Sequence, residues 1–164
     1  MKRAIRIVCA TWLVAALAIV STAQEGEHSG EAYSTCSACH LPDGVGVPGA
    51  FPPIRNRAAA IASLDGGREY LVTVVSYGLM GTIEVDGNQY FGVMAGNTGA
   101  LSNDDLAAAL NYVIFELNDG DAAGIEPFTT AEVESVQAAT SVKSPAAAGQ
   151  LRGELVTKHG DQWP

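Results

Sequence analysis

The stretch Cys36-Ser37-Ala38-Cys39-His40 constrains this chain more than any other feature, because two thiols and an imidazole must share one neighbourhood. Four chemistries use such a pattern. A disulfide between Cys36 and Cys39 closes a loop too small to stabilise much. A thiol–disulfide exchanger sets the pair at the start of a helix after a strand, in a βαβ context that this chain lacks. Zinc needs two further soft or imidazole ligands, whereas the remaining histidines, His28 and His159, lie towards the two extremities. Covalent attachment of haem explains the spacing. Each thiol adds to one vinyl group, two intervening residues let both sulfurs reach from one helical turn, and His40 is delivered beneath the iron. One covalently held haem c is therefore the expected cofactor.

The amino terminus points to the compartment in which that chemistry takes place. Lys2, Arg3 and Arg6 precede an almost wholly apolar run from Ile7 to Val20, and Ser21-Thr22-Ala23 supplies small residues for cleavage. This order predicts a signal peptide over 1–23 and a periplasmic mature protein. The apolar run falls short of the roughly 20 residues that span a bilayer. Cleavage removes Cys9, leaving Cys36 and Cys39 as the thiols. It also removes three basic residues and no acid, so the formal net charge of −9 becomes −12. So acidic a surface disfavours nucleic acid and anionic membranes, and suits docking on basic faces of partner proteins.

The rest of the chain reads as mostly helical. A short helix runs from a Ser29 cap through Tyr33 to the cysteines, and Leu41 to Pro53 is rich in turn formers. Residues 68–78 have helix length and stop at Gly78, while their β-branched content leaves a strand as the alternative. Residues 82–94 read as a hairpin, with Asp86-Gly87 as the turn. Ser102 and Asp105 have capping-box spacing before a helix carrying Leu106, Leu110, Val113, Ile114 and Leu117 on one stripe, with few polar positions around it. Beyond residue 120, Thr129 or Thr130 opens a short helix over 130–139. Then come a linker and a loosely ordered or amphipathic tail. The domain division is thus 1–23 leader, 24–120 core domain and 121–164 extension.

A second axial ligand is to be chosen among Met80, Met94, His28, His159 and an open position. Met94 is favoured, because it lies in Tyr90-Phe91-Gly92-Val93-Met94-Ala95-Gly96, where glycines let backbone approach a flat ligand. Met80 is expected to pack as core.

Taken in order, these segments resemble a class I cytochrome c. Gly30 and Tyr33, the Cys36–His40 motif, the loop 41–54, the stretch 77–96 and the capped segment 101–113 carry the resemblance, over about residues 28–118. It implies an all-α cytochrome c fold with a small β-hairpin before the distal methionine. It implies thioether bonds at Cys36 and Cys39, and His40 and Met94 as iron ligands. A carbonyl of the Pro52-Pro53 turn, expected to be that of Pro53, would accept the His40 Nδ1 hydrogen. Gly30 and Tyr33 would meet Tyr112 where first and last helices cross, and Arg55 or Arg57 would reach a haem propionate or simply be solvated. Ala95 departs from the proline that many relatives carry after the methionine, which leaves the rigidity of that segment open.

The function implied is a bacterial periplasmic, monohaem electron carrier, not itself an enzyme. It would cycle Fe(III)/Fe(II) between a donor complex or dehydrogenase and a reductase or oxidase. An obligate cytochrome subunit of a multiprotein oxidoreductase is the alternative, motivated by a last helix that needs a cover on an extra face. A haem sensor or enzyme with a labile distal ligand is the third.

Overall fold

The structure is a computed structural model that describes residues 30–141 and 143–164. The leader, Cys9, His28 and Ser29 fall outside the described residues. Among those described, six α-helices and one hairpin follow in order: α1 (Gly30–His40), α2 (Ala58–Ala62), α3 (Gly67–Tyr77), β1 (Gly78–Val85), β2 (Asn88–Ala95), α4 (Asn103–Asn111), α5 (Thr130–Ala139) and α6 (Pro145–His159). The arrangement is helical with one small antiparallel ribbon, as the resemblance implies. No helix among the described residues is long and apolar enough to cross a membrane.

Local chemistry explains most boundaries. The Ser102 hydroxyl accepts from the Asp105 amide at 3.1 Å, while the Asp105 carboxylate accepts from the Ser102 amide at 3.2 Å, closing the anticipated capping box. Asp86, with φ of +51°, and Gly87, with φ of +75°, make the tight turn of the hairpin. The long helix from Ser102 is not uniform, however. After Asn111 it widens into a π-helical turn over Tyr112–Glu116. Asn118, just beyond it, donates to the Val113 carbonyl at 2.7 Å and to the Ile54 carbonyl at 3.2 Å. Such a turn is set by tertiary packing and has no sequence period of its own.

The core lies where α1 crosses the end of α4. Tyr33 stacks on Tyr112 with ring centroids 4.9 Å apart, and a Cβ on Gly30 would stand 3.3 Å from the Tyr112 ring, as the family resemblance implied. Leu106, Ile114, Val72 and Val133 are fully buried around this crossing. The extra apolar face of α4 is covered from within the chain. Asn111 receives the Phe128 amide at 2.7 Å and donates to the Phe128 carbonyl at 2.9 Å, which pins Phe128 and α5 against α4. Arg68 then clamps α5 to α3, with its guanidinium on both Glu132 oxygens at 2.7 and 2.5 Å and over the Phe128 ring.

The extension is more ordered than its composition suggests. Thr129 caps α5, which spans the anticipated 130–139. The expected linker and tail are instead α6, a helix of 15 residues. Ser144 caps it by accepting from the Ala147 amide at 3.2 Å, Pro145 takes the first position where no amide is needed, and alanines follow. Gly149 and Gly153 obscure this helix in the sequence, yet Gly149 is required. A Cβ there would stand 2.5 Å from the Met80 carbonyl, so α6 lies directly along β1.

Candidate functional site

Between the helices and the inner face of the hairpin lies an apolar cleft. Cys36 and His40 enter it from α1, Pro52 and Pro53 from the following loop, and Leu79, Ile83 and Met94 from the hairpin. A second lobe shares Cys36, His40, Pro52, Leu79, Ile83 and Met94, and opens past Cys39, Phe51, Phe91 and Val93 to solvent. His40 and Met94, from opposite elements, thus border both lobes.

His40 is buried and its ring is fixed. Nδ1 donates to the Pro52 carbonyl at 2.8 Å; a carbonyl can only accept, so the proton sits on Nδ1 and Nε2 keeps the free lone pair. The acceptor is Pro52, not the expected Pro53, which lines the cleft without making this bond. The loop explains the correction. Gly46 donates to the His40 carbonyl at 3.0 Å and its backbone abuts the Phe51 and Pro52 carbonyls, a contact that any Cβ would block. That packing turns the Pro52 carbonyl to the ring. Burial holds the His40 pKa below its ordinary value, although the Pro52 bond opposes it, so the imidazole is neutral, the form that ligates iron. Just past the ring, Leu41 has a left-handed backbone at φ of +65°, and its carbonyl accepts from the Tyr33 hydroxyl at 2.7 Å.

No disulfide joins the two motif cysteines; Cys36 is half-buried and Cys39 exposed. Burial pushes the Cys36 thiol up, with Cys39 adding to the effect against a backbone hydrogen bond. A thiol-exchange enzyme lowers that pKa to make a thiolate, so this environment suits a buried attachment point better than a redox nucleophile.

Met94 is the second-last residue of β2 and pairs with Leu79. Regular strand pairing, which extends to Gly78 opposite Ala95, supplies the rigidity that Ala95 put in question. Met80 does not pack as core. One residue out of phase with Leu79, it falls on the outer face beside Val93 and is 46% exposed. The glycines divide their roles. Gly81 and Gly92 pair across the ribbon and line the cleft, whereas Gly96 is needed against the Ser76 and Tyr77 backbone at the end of α3. His159 terminates α6 with Nε2 on the Asp65 carbonyl at 2.9 Å and does not border the cleft; His28 lies outside the described residues. Arg55 is exposed, while Arg57 is buried at the cleft wall.

No family model matches the chain. Over 107 residues, 65% of its length, the chain is 43% identical to a cytochrome c-552 of Thermus thermophilus, covering 81% of that protein. It is equally similar over 107 residues to a second cytochrome c-552 of the same species, covering 72% of it. This chain belongs to the c-type cytochromes. It is a haem electron-transfer protein, and its cofactor is covalently bound haem c. The cytochrome's own residues fit that group. They provide two thiols at haem-attachment spacing, an imidazole whose Nδ1 hydrogen is already committed, a thioether facing the same space, and apolar walls between them.

Two features of the site were not read from the sequence. Pro52 as acceptor depends on how Gly46 folds the loop. The presence of Arg152 and Trp163 in the cleft wall depends on α6, whose capping residues Ser144-Pro145 were the available signal.

Proposed function

We propose that this cytochrome is an exported, monohaem carrier of single electrons in the bacterial periplasm, with Cys36 and Cys39 as thioether attachment points and His40 and Met94 as the two iron ligands. The observation that carries the reading is that His40 on α1 and Met94 on β2 border one apolar cleft from opposite elements. Bound there, the haem supplies the one-electron Fe(III)/Fe(II) couple. The protein's part is to hold both ligands still. Pro52 fixes the His40 ring and its tautomer, and sustains the basicity of Nε2. Strand pairing fixes Met94. Apolar walls keep water out and favour the less charged, reduced state. With both faces of the iron taken, a substrate has no position to bind, which is why a carrier is proposed and not a catalyst.

Electron donors and acceptors are redox proteins met through small, transient contacts. The net charge calls for a basic docking face on at least one of them, and Phe51, Phe91 and Val93 give the open lobe an apolar border beside Cys39. The alternative of an obligate enzyme subunit drew its motive from an uncovered face of α4, and Phe128 and α5 occupy that face.

Visible spectra of protein matured in a competent host test the assignment. Two thioethers in the pyridine haemochrome assay and a methionine-sulfur band at the red end of the oxidised spectrum are the expected results. A colourless protein of apoprotein mass overturns it, and a haem protein without the sulfur band removes Met94. Association rates with a basic partner are expected to fall as salt rises; rates indifferent to salt remove charge steering.

A further inference from the structure

The cleft lobe that excludes Cys39 has an unusual wall. Among mostly aliphatic side chains it carries Arg57, Arg152 and Trp163, the last two from the extension. The Trp163 Nε1 hydrogen is wholly buried and has no acceptor among the described residues, although the ring is held by an edge contact with Tyr70 at 5.6 Å and lies under Arg152. A buried donor without an acceptor is costly and demands a partner.

Of the two guanidinium groups at this wall, one is partnered by a carboxylate and one, among the described residues, is not. Arg57 is 9% exposed and is met by Asp86 at 3.0 Å and by a main-chain oxygen of Pro164, the last residue of the sequence. Arg152 donates to the Glu84 carbonyl at 3.1 Å and, among the described residues, has no carboxylate within ion-pair distance. Burial pulls the Arg57 pKa down, Asp86 opposes this, and the neighbouring Arg152 charge pushes it further down. Tyr70 and Tyr90 are the other titratable groups facing Arg57, and burial raises Tyr70 to about 12, so it brings no negative charge.

We propose that Arg152, Trp163 Nε1 and Arg57 form a carboxylate site for a haem propionate, so that the carboxy-terminal extension is part of the cofactor's binding site and not a separate appendage. The inference rests on the cleft being the haem site. A propionate is the anion that a haem carries into an otherwise apolar cleft. Left unpaired it would be costly to bury; between a guanidinium and an indole N–H it is both neutralised and hydrogen-bonded. The same contact gives Trp163 its missing acceptor and Arg152 its missing anion. Sequence reading gave a propionate only to Arg55 or Arg57; the site proposed here adds the tail and leaves Arg55 out.

The experiment uses mature holoprotein and the variants Arg152→Gln, Arg152→Lys, Trp163→Phe and Lys158→Gln. Lys158 is on the same helix but outside the cleft. Haem content is verified in each by mass and the pyridine assay. The readouts are resonance Raman propionate-bending bands, the ultraviolet Raman marker of indole N–H hydrogen bonding, and the propionate ionisation seen in the pH dependence of the midpoint potential. After cleavage near Ala23, Trp163 is the sole indole. Arg152→Gln is expected to raise the proton affinity of one propionate about tenfold, one pKa unit, and Trp163→Phe about threefold. Arg152→Lys recovers most of the loss, Lys158→Gln changes nothing, and the wild-type indole reads as hydrogen-bonded. Full haem content with unshifted propionate bands and ionisation in Arg152→Gln and Trp163→Phe overturns the proposal. So does a free indole N–H in the wild type, which needs no variant to fold. Wild-type protein without haem overturns the underlying assignment as well.

Discussion

The two walls of the cleft are built in opposite ways. The His40 wall is tied by short-range bonds: Nδ1 to Pro52, the Gly46 amide to the His40 carbonyl, and the Tyr33 hydroxyl to Leu41, none spanning more than 12 residues. The Met94 wall is a two-stranded ribbon whose outer face exposes Phe91 at 84% and Val93 at 63%. Such a ribbon is marginal alone. It is held from outside, by α6 along β1, by Arg152 on the Glu84 carbonyl and by Arg57 on Asp86 at the turn. One wall is locally braced; the other depends on residues far along the chain. The His40 side should therefore resist disturbance, and the Met94 side should be where the site loosens first.

The comparison can be broken at several points. The largest effect is expected from His40→Ala, which removes the proposed iron ligand of the braced wall; yield of matured holoprotein should fall more than about tenfold, measured by haem stain and mass. Met94→Ala should leave the covalent haem in place, lower the midpoint potential and let the reduced protein bind carbon monoxide, with a stability loss of about 2–4 kcal/mol in denaturant titration. Equal loss of haem in both variants would abolish the asymmetry. Gly149→Ala tests the external support and has a telling sign. Helix propensity alone predicts a gain of about 1 kcal/mol. The clash with the Met80 carbonyl predicts a loss of about 1–3 kcal/mol, accompanied by a weakened methionine-sulfur band. Tyr33→Phe removes one partly buried hydrogen bond on the braced wall and should cost about 1 kcal/mol without altering the sulfur band.

The smallest effect concerns Asp65, whose carboxylate meets Lys158 at 2.6 Å and ties α6 to the turn before α3. The Lys158 ammonium holds the Asp65 pKa below its ordinary 3.8. A depressed folded-state pKa means the contribution is present above the unfolded value and is lost as pH falls through the folded one. The wild type should therefore hold a slight stability advantage over Lys158→Gln near neutral pH, and denaturant titrations should show that advantage vanish as the medium is acidified below the ordinary aspartate range.

The same contrast explains what the sequence disclosed. On the braced wall, spacing alone singled out Cys36, Cys39 and His40, because that relation is local, whereas the Tyr33–Tyr112 crossing was implied only by the resemblance to class I cytochromes c. Pro52 was missed by one position, since only the folded Gly46 turn decides which carbonyl faces the ring. On the other wall the hairpin was legible from Asp86-Gly87 and alternation, and the glycines around Met94 singled it out as the proposed ligand, yet Met80 was misplaced because the strand begins earlier than the alternating pattern suggested. Helix α6 was hidden by two glycines, one of which serves a contact with a strand far earlier in the chain. Helix α2 is too short to show a period, and the π-helical turn has none.

The aliphatic lining of the cleft has a kinetic corollary. Methyl and methylene groups carry almost no dipoles that must swing round when the charge at their centre changes by one. The surroundings of the oxidised and reduced centres then differ little in shape, and a hop between proteins can run with scant thermal activation. Speed in this molecule would be inherited from what the walls omit as much as from what they hold.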